Sequence, residues 1–122
     1  MVDHAFRRED RIRRSGDFVK AVRSRDVVVT AHLRVHVRPN GLGYSRLGVS
    51  VGRRFGNAVR RNRLKRLVRE AFRTSDEVRA AGLDVVVVAR DARVLDAPRE
   101  IREALLAAVR RFAARPGRDP RQ

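Results

Sequence analysis

No cysteine occurs in the 122 residues, which excludes disulfides and thiolate metal sites and leaves the redox compartment open. No apolar run approaches 18 residues, so no membrane span is expected. The opening Met-Val-Asp-His-Ala-Phe-Arg-Arg lacks a signal peptide's apolar core, and a cytoplasmic location is the default expectation. Acids are scarce, 14 against 30 cations, and scattered. No pair of them has metal-binding spacing, so a protein-only nuclease centre has no obvious components. His32 and His36, four apart on a strand, would stand about 13 Å from each other, too far to share a metal. Gly52-Arg-Arg-Phe-Gly56 lacks the lysine and spacing of a nucleotide-binding loop. These absences speak against a catalytic site in this polypeptide, and neither a metal nor a cofactor is expected on it.

What the chain does have is positive charge: a net +16 and a pI near 11.9, values typical of polyanion binders. Lys20 and Lys65 are the only lysines among the 30 cations, leaving 28 arginines. The planar guanidinium fork suits phosphate oxygens and stacks on bases. The length suits one domain, 1–122, with loose ends at about 1–10 and 115–122.

Pattern places the elements. Phe6 and Ile12 are docking points in an irregular start, and Ser15 caps a short helix from Gly16 to about Arg23 in which Phe18 and Val22 share a face. Phe18 divides evenly between core packing and base stacking. Val27–Val29 reads as strand, as does Leu33–Arg38, where Leu33, Val35 and Val37 alternate with Arg34, His36 and Arg38. That period predicts His36 and its arginine neighbours on the outward face. After the turn-rich 39–45 segment, Arg46–Val51 is expected to pair antiparallel with Leu33–Arg38. Ser75 caps a brief helical piece ending near Gly82, a residue suited to a left-handed C′ position. Asp84–Ala89 is a continuous apolar run, the mark of a strand buried on both faces. Beyond Pro98, the stripe Ile101, Ala104, Leu105, Ala108, Val109, Phe112 traces a last helix. The order is α-β-β-α-β-α, an α+β sandwich with helices expected on one face of a single sheet.

The stretch Gly52 to Arg73 dominates this plan, with nine cations against one acid, Glu70. Asn57 is a good helix N-cap. At about 100° per residue, Leu64, Leu67, Val68, Ala71 and Phe72 form an apolar stripe, with Asn62, Arg66, Arg69 and Arg73 opposite and Lys65 beside them. Arg63 falls near Glu70. Arg60 and Arg61 fall on the apolar side, so the first turns are expected to project as an exposed prong. Solvated faces usually interleave charge signs, whereas this run of like charge calls for a polyanion.

Gly56-Asn-Ala-Val-Arg-Arg-Asn-Arg-Leu-Lys-Arg-Leu-Val-Arg-Glu-Ala-Phe-Arg73, with the triplet Arg61-Asn62-Arg63, resembles the signature helix of the protein subunit of bacterial ribonuclease P. Arg46-Leu-Gly-Val-Ser-Val-Gly-Arg-Arg-Phe55 is similar to the strand and loop that precede it. The resemblance implies a mixed sheet with a left-handed β-α-β crossover, where general statistics favour a right-handed one. It implies that Arg53, Arg54, Arg60, Arg61, Asn62, Arg63, Lys65, Arg66 and Arg69 face the catalytic RNA, one protein per RNA. It further implies a cleft of Phe18, Val22, Arg34 and His36 for the 5′ leader of precursor tRNA. The family often carries aromatics where this chain has Val22 and His36, which removes one stacking platform and replaces another by imidazole. Hydrolysis would belong to the RNA subunit and its magnesium ions. A ribosomal or architectural nucleic-acid-binding protein would show the same charge and helix, and a stand-alone nuclease would cleave without RNA.

Overall fold

The computed structural model describes residues 5–114. A 3-10 turn at Arg8–Asp10 precedes helix α1 (Ser15–Val22), strands β1 (Val27–Val29), β2 (Leu33–Pro39) and β3 (Arg46–Val51), and helices α2 (Ala58–Arg73) and α3 (Asp76–Arg79). Strand β4 (Leu83–Ala89) and helix α4 (Arg99–Ala113) complete the chain, with further 3-10 turns at Arg53–Phe55 and Ala92–Asp96. The expected loose tail 115–122 lies outside the described residues. Residues 5–10 fall in the other expected loose end. There Phe6 meets Phe72 edge to face, ring centroids 5.8 Å apart, and Arg11 lies over Phe6 at 5.6 Å.

The four strands form one mixed sheet in the order β1-β2-β4-β3. β4 pairs antiparallel with β2 and parallel with β3, so the expected β2–β3 hairpin does not form. The valines of β4 explain its central place. Val85 and Val87 point into the main core and Val86 into the opposite face, all three fully buried. A strand apolar on both sides gains most from the middle of a sheet. The 40–45 loop turns under its own bonds: Asn40 accepts from the Leu42 amide and donates to the Tyr44 carbonyl and to Asp84.

Helices cover both faces, a second departure from expectation. α2, α3 and α4 enclose the main core around Leu64, Val68, Phe72, Val78, Ile101 and Leu105. α1 lies across β4 and β2 on the other side, with Ala21 fully buried beneath it. Gly48 makes this approach possible: a Cβ there would come within 2.8 Å of the Phe18 ring.

The helix ends follow local chemistry. The Asn57 side chain accepts from the Arg60 amide at 3.0 Å and starts α2. Ser75 accepts from Val78 and starts α3, and Gly82 takes a left-handed φ of 68° just beyond it. α1 begins one residue earlier than its sequence suggests, at Ser15 with no side-chain cap.

Candidate nucleic-acid interface

α2 connects β3 to β4, and the apolar stripe Leu64, Val68, Phe72 fixes its rotation against the core. Its first turn is uncovered. Residues 57–60 are all exposed, and Val59 is 76% exposed despite its apolar side chain. The projecting prong is therefore present. Arg53 and Arg54 sit exposed in the turn just before it, and Arg60, Asn62, Arg63 and Arg66 are exposed along it. The Arg60 stem leans on Gly56, where a Cβ would meet it at 2.9 Å.

Of the row expected opposite the apolar stripe, Asn62 and Arg66 are exposed, whereas Arg69 and Arg73 are half-buried. Arg61, Lys65 and Arg69, four residues apart in series, are half-buried. The Arg61 Nε is covered and has no hydrogen-bond partner among the described residues. Arg69 is held below its ordinary pKa first by burial and then by the charge of Arg11. Glu70 is taken by Arg73, at 2.7 and 2.8 Å. With the helix's only acid so engaged, the prong carries unneutralised charge beside free backbone amides that favour anions.

The second set of predicted residues gathers around α1. Val27, His36, Val86 and Gly48 occupy one row across the sheet, and the Phe18 ring rests at the Gly48 end. Phe18 thus packs on the sheet yet stays partly exposed. Val22 is half-buried and Arg34 exposed. His36 does not face solvent as expected: it is 7% exposed, because α1 covers that part of the face. Neither ring nitrogen has a hydrogen-bond partner among the described residues. Burial, then the Arg34 charge, holds its pKa below the usual imidazole value, while the nearby Ser24 backbone acts the other way without reaching hydrogen-bond geometry.

At one end this face is closed. Asp84 receives two bonds from Arg46, 2.8 and 2.7 Å, and Asp17 of α1 lies 3.4 Å from the same guanidinium. The Asp84 hydrogen bonds raise the Arg46 pKa. At the other end the row Val29, Arg34, Val88, Ser50 is only partly covered, and β3 leads from it to Arg53 and Arg54. A strip of open sheet thus runs from the edge of α1 toward the basic prong. Among the described residues no group of His, Cys, Asp or Glu could hold a metal, and no helix is long and apolar enough to cross a membrane.

The family profile described as Ribonuclease P matches residues 6–113. The chain belongs to the ribonuclease P protein family. The ribonuclease P protein component of Thermotoga petrophila is 44% identical over 86 residues, 70% of this chain and 74% of that protein. That of Nitrosomonas europaea is 39% identical over 101 residues, 81% and 84% of the two chains. The solved ribonuclease P protein of Thermotoga maritima superposes with a TM-score of 0.69 at 38% identity, covering 83% of this chain and 96% of that one. The Staphylococcus aureus protein gives 0.67 at 30% identity, covering 86% and 95%. Membership places the chain in the tRNA-processing ribonuclease P system, with ribonuclease P RNA as partner.

One contributor to the basic surface was not singled out from sequence. Arg11 comes from the irregular start and reaches the α2 cations only because Ile12 bonds to the edge of β3. Composition alone carried no sign of that bridge.

Proposed function

We propose that this chain is the subunit that docks on the catalytic RNA of ribonuclease P and helps it hold precursor tRNA, leaving hydrolysis and magnesium binding to the RNA. The supporting observation is the projecting start of α2. Arg53, Arg54, Arg60, Arg63 and Arg66 are exposed, and none has an acid partner among the described residues. Cations left open in this way neutralise RNA phosphates and release counterions, an attraction that is largely independent of sequence. Asn62, exposed between Arg61 and Arg63, orders that cluster as well as touching RNA. The open strip beside Phe18, Val22 and Arg34 suits a single strand such as the 5′ leader, with Phe18 as the stacking surface. His36 supports this strip from beneath, since its ring nitrogens are covered.

Adding the chain to a bacterial ribonuclease P RNA at low magnesium is the test. Correct 5′ cleavage of precursor tRNA, one protein per RNA, is the expected result. No rescue, with affinity no better than for an unrelated structured RNA, would favour an architectural nucleic-acid-binding protein. Cleavage by the protein alone would mean a nuclease centre of its own.

A further inference from the structure

The main core lies between the sheet and α2, α3 and α4, and no residue of α1 belongs to it. α1 is a separate cover on the opposite face. It is eight residues long, its start has no side-chain cap, and Ala21 is its one fully buried residue. A helix this short is marginal without its packing. It is tied down by the Phe18 ring on Gly48, by Asp17 at 3.4 Å from Arg46, and by Ser24 just past its end, which donates to the Val37 carbonyl at 2.6 Å.

Beneath this cover lies a group suited to one protonation state. The His36 ring is buried, and neither nitrogen has a hydrogen-bond partner among the described residues. The surrounding charges oppose a second proton on the ring. Arg34 and Arg38 flank it on β2, Lys20 and Arg23 belong to the α1 end, and Arg25 follows in the turn. Asp17 of α1 and Asp84 of β4 are both held against Arg46, and Asp26 lies on the other face of the sheet beside Arg111. Burial and the Arg34 charge accordingly favour the neutral ring. A charged imidazole needs water or a paired acceptor. The sheet closes the ring from below, so water reaches it only where α1 moves.

We propose that α1 is a proton-operated cover: when His36 takes up a proton, α1 lifts from the sheet while the main core stays folded. Such a local opening costs less than global unfolding because it gives up only the contacts of α1. It uncovers the row Val27, His36, Val86, Gly48 and carries the open strip on toward Arg46. The uncovered ring adds a cation beside Arg34, so pH would set how much of this face a single strand reaches. That consequence rests on the function proposed above; the cover itself does not.

Amide hydrogen exchange of the full chain, resolved by NMR and corrected for the intrinsic rate at each pH, tests the cover without RNA. With an ordinary imidazole value near 6.5 in the open form, the opening constant of α1 is expected to rise about tenfold from pH 7.5 to pH 5.5. The Phe18 and Arg23 amides, bonded to Arg14 and Val19, should lose protection by that factor, and the amides of β4, paired on both sides, should not. The response is expected to vanish in H36L and to persist in D17N, which removes the charge of the other acid tie of α1. If H36L does not fold, H36Q carries the comparison. Equal losses in α1 and β4, or an α1 loss that survives replacement of His36, would overturn the cover.

Discussion

At the scale of single residues, His36 and Gly48 hold the α1 face together in opposite ways. His36 is a buried imidazole whose ring nitrogens have no hydrogen-bond partner among the described residues. Its folded pKa lies below the unfolded value near 6.5, so as pH falls through that range the unfolded chain takes up a proton that the folded chain refuses. Stability at pH 7.5 is therefore expected to decline toward pH 5.5, measured by urea unfolding. H36L is expected to flatten this segment and leave stability at pH 7.5 equal or higher, because it removes an unsatisfied polar group. Gly48 acts through space. G48A would place a methyl against the Phe18 ring and is expected to cost about 1–3 kcal/mol, read as a lower urea midpoint with an unchanged slope. Alternation in the sequence told correctly that His36 opposes Val35 and Val37. It could not tell that α1, eight residues long, would cover that face.

At the scale of elements, α2 serves two purposes that divide along its length. From Leu64 onward it is core; before that it is a projection held by its cap. N57A leaves the Arg60 amide without its acceptor and is expected to lower stability by about 1 kcal/mol in urea unfolding, a local loss because Leu64 and Val68 still pack. The helix, its cap and its exposed start were legible because periodicity and capping are local. The burial of Lys65 and Arg69 was not, because it depends on β3 and on the segment around Arg11 and Ile12, far earlier in the chain. α4 shows a further non-local tie. Glu100 in its first turn accepts from Thr30, from the His32 amide and from the His32 ring, at 2.6, 2.9 and 2.6 Å. Burial would raise the Glu100 pKa, yet these bonds keep it below the ordinary value. Stability from this contact is thus present above the usual carboxylate range and lost as pH falls through and below it. E100Q is expected to remove that acid-side dependence in pH-resolved unfolding.

At the scale of the whole molecule, the sheet order separates what sequence conveys from what it does not. The segments were readable one by one. The pairing of β3 was misread because a short loop suggests a hairpin, while β4, more apolar than either neighbour, took the centre. Charge was legible from the start, but only the fold shows that the one acid of α2 is already paired with Arg73 while most of its cations have no acid partner among the described residues. A docking surface that depends on open guanidinium makes a direct claim about salt. The deciding measurement is the dependence of affinity for ribonuclease P RNA on salt concentration, for the native chain and for the combined R60Q/R63Q/R66Q variant. The expected slope of log K against log salt is shallower in the variant by about two to three units, with unfolding unchanged. Equal slopes for the two proteins would mean that the prong does not meet phosphate.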